Sequence, residues 1–311
     1  MPRRSRLARL LRAYCLGQLL VALAWLVWRW PIAPAQAAGG ALLVLAIGPL
    51  GLAVEFAMLA FVARAHPGVP LPSTAQLLRA WASESVHLVR VFSWRQPFRW
   101  RAVPDHLDAQ CAGRTGVVLV HGFMCNRGFW APWMRRLRER GVACAAVNLE
   151  PVFGPLDGYA DAIDEAVLRV TRATGCPPVL LCHSMGGLAA RAWWRAHGAR
   201  RAVRALVTIG SPHGGTWMGR FSRRPNGLQM QLGSAWLQQL ARDEQRQPLP
   251  PTTCWYSNCD NIVFPAATAT LPAADNRLLE GQAHVALAFH PQVMQACLAL
   301  VGQPEPACQG K

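Results

Sequence analysis

The chain has 311 residues, of which 52% are apolar and only 15% charged, with a mean hydropathy of +0.15. That combination excludes intrinsic disorder, which needs low hydrophobicity and high charge density. It leaves room for one domain of about 200–250 residues plus a further segment. The net charge of +16 does not signal a nucleic-acid partner. Lys311 is the sole lysine, and no basic run interleaves with aromatics in a nucleic-acid motif.

The first segment, residues 1–64, carries most of the hydropathy. Ala13 to Trp28 is uncharged, and Ala41 to Ala63 is interrupted only by Glu55. The first is a little short of the roughly 20 residues needed to cross a hydrocarbon core, and the second is long enough. Pro31 and Pro34 lie between them, where a turn is required, so a transmembrane helical hairpin is expected. The competing reading is a cleaved signal peptide ending near Ala35-Gln36-Ala37, but it leaves the second run unexplained. Five arginines precede the first run, Arg29 alone lies in the connection, and Arg64, Arg79 and Arg90 follow the second. The positive-inside rule then puts both ends, and the domain that follows, on the cytoplasmic face. Glu55 is expected near the interface.

Residues 65–110 read as a linker. His66 to Pro72 is proline-rich. Gln76 to Phe92 places Leu77, Trp81, Leu88 and Phe92 at near-helical spacing, and Phe98 to Val103 alternates like an edge strand.

From residue 111 the pattern becomes regular. Short apolar runs at Gly116–Val120, Val142–Leu149, Val179–Cys182, Val203–Ile209 and Thr253–Tyr256 read as buried strands, and a weaker one precedes His284. Helical patterns at Trp130–Arg140, Asp157–Thr174, Met185–His197 and Val293–Val301 alternate with them. Strands alternating with helices predict a parallel α/β sheet flanked by helices. The ten cysteines form no CxxC pair, and most sit within apolar runs, so ten reduced, buried thiols are expected.

The sharpest local signal is Leu181-Cys182-His183-Ser184-Met185-Gly186-Gly187, between a strand and a helix. A serine there sits on a tight turn, with small residues on either side letting the backbones approach. Cys182 fills the small position where glycine is commonest. A serine nucleophile needs a base, and the base needs a carboxylate. His284 and Asp260 follow the last two strands in the order serine, acid, base. His290 is the rival base, although it precedes Pro291 at a helix start; Asp275 is the rival acid. Oxyanion donors are expected from the backbone N–H of Met185 and of Phe123, in the loop His121-Gly122-Phe123-Met124-Cys125-Asn126. His121 precedes the serine and is read as ordering that loop.

These motifs, with the Ser211-Pro212-His213-Gly214-Gly215-Thr216 loop and the late aspartate and histidine, resemble the α/β-hydrolase superfamily, and most of all its bacterial lipases and serine esterases. The resemblance covers about Gly116 to Val301. It implies a catalytic domain at 111–311 and ester hydrolysis through an acyl-enzyme, with Ser184, Asp260 and His284 as the triad. No metal or other cofactor is expected. Residues 217–251 read as a lid-like insertion, because Leu228, Leu232, Trp236 and Leu240 share one helical face. His213 and Ser211 are expected to shape their loop. The expected activity is thus a membrane-anchored serine hydrolase acting on lipid or other hydrophobic esters. Acyl transfer, thioester or amide hydrolysis, and a non-catalytic membrane interaction protein are the alternatives.

Overall fold

The computed structural model describes residues 5–301. Six parallel strands form one sheet: β1 (Val117–Val120), β2 (Cys144–Ala146), β3 (Val179–His183), β4 (Ala205–Ile209), β5 (Thr252–Tyr256) and β6 (Asp275–Leu278), in the spatial order β2-β1-β3-β4-β5-β6. Side chains alternate between two cores, as a strand covered on both faces must. Val117, Leu119, Leu181 and Val207 join one apolar cluster with Trp133, Leu287 and Met294; Val118, Val120, Leu180 and Leu206 join another with Ile163, Leu188 and Trp193.

Twelve α-helices accompany the sheet among the described residues. Four belong to the N-terminal segment: α1 (Arg6–Arg29), α2 (Pro34–Leu45), α3 (Ile47–Arg64) and α4 (Thr74–His87). A π-helical stretch (Leu88–Arg95) leads from α4 into the short α5 (Gln96–Phe98). Within the sheet domain come α6 (Ala131–Glu139), α7 (Ala160–Thr174), α8 (Met185–His197), α9 (Pro225–Gln229), α10 (Ala235–Arg246), α11 (His284–Ala288) and α12 (Pro291–Ala299). Local chemistry sets several boundaries. Ser73 and Gln76 form a reciprocal capping box at the start of α4, and Gly175, at φ 73°, closes α7 in the left-handed conformation that costs glycine least.

Both α1 and α3 are long and apolar enough to cross a membrane. Of the large exposed apolar side chains, eighteen lie before residue 65 and only four beyond residue 98, so the apolar surface belongs almost wholly to the N-terminal helices and the stretch after them. The helices are not separate from the sheet domain, however. Leu7, Leu11 and Cys15 of α1 are buried, and Arg12 Nε donates to the Pro97 carbonyl at 2.5 Å. Leu52, Phe56, Leu59 and Val62 of α3 are buried at helical spacing; Phe56, Leu59 and Val62 join one cluster with Ala80 of α4 and with Cys259, Phe264, Ala283 and Ala286.

Several local expectations give way. The second apolar run is two helices, not one, because Pro49 lacks the N–H that the Leu45 carbonyl needs four residues earlier, and the chain breaks at Ala46. Phe98 to Val103 is no edge strand. Its alternation arises in a turn, closed by Ala102 N–H to Arg99 C=O, that buries Trp100 and Val103 three residues apart. The 228–240 face is also interrupted: α9 ends at Gln229 and α10 starts at Ala235, with Gly233 at φ 62° between them. Cys176 is disulfide-bonded, against the expectation of ten free thiols.

The crossover from β3 to α8 brings helix backbone against β1. A Cβ on Gly186 would lie 2.4 Å from the Val120 carbonyl oxygen and 2.7 Å from that of His121, and backbone cannot step aside as a side chain would. Gly186→Ala is expected to destabilise the fold by about 1–3 kcal/mol or more. Urea unfolding of wild type and variant measures it; equal midpoints would contradict this contact.

Candidate active site

Ser184 joins β3 to α8 at φ 55° and ψ −131°, a conformation that costs a non-glycine residue about 1–3 kcal/mol. Its neighbours hold it there. Its N–H donates to the Ile209 carbonyl of β4 at 2.9 Å. Gly122, at the end of β1, lies so close that a Cβ there would approach the Ser184 Cβ to 2.6 Å. His121 anchors the same loop from within. Its Nδ1 donates to the Gly122 carbonyl at 2.9 Å and its Nε2 accepts from Leu149 N–H at 3.1 Å. Burial pushes its pKa down to about 4, so the ring remains a neutral linker. Met124 in the same loop also stands at a positive φ, 52°.

Asp260 follows β5 and is 2% exposed. Its Oδ1 accepts from the N–H groups of Ile262 and Val263 at 2.9 and 2.7 Å, while Oδ2 accepts from His284 Nδ1 at 2.9 Å. A carboxylate acceptor on Nδ1 fixes the imidazole tautomer and leaves Nε2 as the basic nitrogen. Burial opposes a charge on His284, but the carboxylates of Asp260, Glu84 and Glu55 outweigh it and raise its pKa above the ordinary value. His183, stacked on Phe129 with ring centroids 4.5 Å apart, bonds through Nε2 to the His284 carbonyl at 3.2 Å. Burial, and then the charge of His284, hold its pKa well below the usual range.

Ser184 and His284 line one cavity of about 260 Å³, together with Phe123, Met124, Cys125, Asn261 and Ile262. Met185 is buried beside the serine as the first residue of α8. The rivals sit elsewhere. Asp275 is exposed at the start of β6 and paired with Arg277, and His290 caps α12 by accepting from Gln292 N–H. No residue of 217–251 lines this cavity. Instead α10 is tied to α8: Arg191 reaches Glu244 through two bonds of 2.7 and 2.8 Å. Arg191 also contacts His213, whose Nε2 bonds Thr208 Oγ1 at 3.0 Å, so this histidine is a strut of its loop.

The cavity roof comes from the N-terminal segment: Leu52 and Glu55 of α3, Glu84 of α4, and Leu88 and Phe92 of the π-helical stretch. Sequence reading did not place them there. Glu84 is buried and accepts from Val285 and Ala286 N–H at 2.9 and 3.1 Å. Burial lifts its carboxyl to a pKa of about 7. Glu55 is half-buried against the sheet domain and accepts from Asn261 Nδ2 at 2.6 Å, so it does not simply face an interface. A signal for Glu84 did exist. It falls at the seventh position after Leu77, on the same helical face as Trp81 and Leu88, where a carboxylate has no ordinary reason to lie.

A model of the alpha/beta hydrolase family matches residues 117–302, more than half of the chain. No curated protein sequence matches. Among solved structures the chain is similar to Bacillus licheniformis lipase BlEst2 in its mature form, at 15% identity and a TM-score of 0.53, over 60% of this chain and 92% of that one. It is also similar to Aspergillus fumigatus lipase B, at 17% identity and a TM-score of 0.53, over 67% of this chain and 59% of the other. At such identities the likeness is one of fold, and that fold is the sheet derived above, with a serine on the turn after β3 and a bonded aspartate–histidine pair beyond β5. The chain belongs to the alpha/beta hydrolase family.

Proposed function

We propose that this hydrolase is a membrane-anchored serine enzyme cleaving hydrophobic carboxylic esters through an acyl-enzyme. The observation that carries the reading is the Asp260–His284 bond opening on the same cavity as Ser184, which stands at a positive-φ turn. His284 Nε2 takes the Ser184 proton as the oxygen attacks the ester carbonyl. The N–H groups of Phe123 and Met185 receive the oxyanion, each worth about 3 kcal/mol in comparable sites. His284 then protonates the leaving alcohol and activates water for deacylation, with Asp260 holding its tautomer and stabilising the imidazolium. The substrate class is read from the cavity walls: Leu52, Leu88 and Phe92 are apolar, the charged residues Glu55 and Glu84 are acidic, and among the described residues no arginine or lysine lines the space. The names of the two lipases similar in fold agree with it.

A panel of neutral esters of graded chain length, assayed on the purified full chain, tests this. Ser184→Ala is expected to lower turnover by roughly 10⁴-fold or more while leaving the fold intact, and His284→Ala to do nearly as much. The double variant should lose little further, because the two act as a unit. Activity persisting in Ser184→Ala would overturn the assignment. A dead His290→Ala beside an active His284→Ala would move the base.

The anchor reading rests on α1 and α3, which would meet the membrane with their exposed apolar faces, since Phe56, Leu59 and Val62 of α3 lie against the sheet domain. Large exposed patches of this kind mark membrane or protein contact. The protein should stay with membranes through high salt and alkaline washing; release by salt would contradict insertion. The arginine distribution puts the catalytic domain on the cytoplasmic side. The Cys176 disulfide pulls the other way, since such bonds persist in oxidising compartments. A reporter fused after Lys311 decides: cytoplasmic activity supports the arginine argument, and periplasmic activity reverses the orientation.

A further inference from the structure

We propose that Glu84 and Glu55 are positioning residues for His284, so that the N-terminal helices form part of the catalytic apparatus. This rests on His284 acting as the base of Ser184, as argued above.

His284 is the first residue of α11, a helix of five residues. A helix leaves its first N–H groups without internal partners. In α11 the first intrahelical bond runs from Leu287 N–H to the Ala283 carbonyl, so the N–H groups of 284, 285 and 286 need acceptors from outside. Every one of them is traced to the N-terminal segment. The N–H of His284 donates to Asn261 Oδ1 at 3.2 Å, and Asn261 Nδ2 donates in turn to Glu55 Oε2. Val285 and Ala286 N–H donate to the two oxygens of Glu84. Glu84 is only 3% exposed, so water does not substitute for these partners. Glu55 and Glu84 therefore hold the base-bearing turn from α3 and α4, across more than 200 residues of sequence.

The same carboxylates act on His284 through space. Asp260 faces the imidazole from the loop after β5, His183 from the end of β3, Glu55 from α3 and Glu84 from α4. When ionised, the three carboxylates favour the protonated ring, and His183 adds no charge. His87, one turn beyond Glu84, is packed against Phe289 beside Arg90 and Arg95, and burial lowers its pKa. Removing a negative charge near an imidazole lowers its pKa, whereas a purely mechanical strut leaves it in place.

The test measures the rate of Ser184 labelling by a fluorophosphonate across pH, and kcat and KM on a neutral short-chain ester, in the full chain in detergent. Glu84→Gln presents an NH2 group to one of two N–H donors, so kcat should fall about 10–100-fold with KM little changed. The acid limb of the labelling profile should move to lower pH. Glu84→Asp, which keeps the carboxylate, should recover part of the rate and return the limb toward wild type. Glu55→Gln keeps an acceptor for Asn261, so its rate loss should be smaller while its limb still moves. If Glu84→Gln does not fold, the limb of Glu55→Gln decides. Folded variants with wild-type rate and profile overturn the proposal. So does a rate that falls only with thermal stability while the limb stays fixed. A wild-type chain that does not label, or a Ser184→Ala chain that does, overturns the nucleophile itself, and this proposal with it.

Discussion

The backbone at Ser184 is the constraint on which the rest of the site depends. A serine at φ 55° does not hold that conformation unaided, so the surrounding structure has to over-determine it. It is held on three sides: by the Ile209 carbonyl of β4, by Gly122 at the end of β1, and by Gly186 packed on the carbonyls of Val120 and His121. Each support comes from a strand adjacent to β3 or from the loop that strand carries. The strand order β1-β3-β4 is therefore a condition for the turn, and the two apolar layers that bury those strands on both faces sustain the strain. Gly210, at φ 56°, plays a similar part for the acid–base pair, since a Cβ there would come within 2.9 Å of Asp260 Oδ2.

Four buried histidines in the sheet domain share a residue type but not a protonation preference. His121, His183 and His213 have no carboxylate partner; burial drives each toward the neutral ring, helped by the charge of His284 beside His183 and of Arg191 beside His213. His284 is as deeply placed yet pushed the other way, because carboxylates approach it from three separate elements. In a low-dielectric interior such differences in neighbours outweigh differences in depth. One ring is thereby set apart as a proton acceptor, while the others serve as hydrogen-bonding struts.

The sheet and the positions of Ser184, Asp260 and His284 were legible in the sequence because each depends on local pattern. Runs such as Val117–Val120 can only be strands buried on both faces, and CHSMGG carries its small residues at fixed offsets from the serine. The N-terminal half was read less completely for a physical reason. Hydropathy reports how apolar a helix is, not what it packs on, and lipid and protein interiors favour the same residues. Phe56, Leu59 and Val62 look the same in either setting, and only the structure sets them against Phe264 and Ala286. Likewise Leu228, Leu232 and Leu240 share a face only if the chain stays helical between them, and Gly233 ends that condition.

The roof over Ser184 has a consequence for where this protein's functional unit ends. The part of the chain that matches its family runs from residue 117 to 302. A fragment cut at those limits would keep the serine, the aspartate and the histidine, yet lose Leu52, Glu55, Glu84, Leu88 and Phe92 from the cavity wall. The enclosed space would become an open trough filled by water, and an apolar substrate would meet solvent on one side. Homology thus marks the boundary of the matched domain, while the cavity around Ser184 reaches some sixty-five residues further upstream, to Leu52, inside what reads as an anchor.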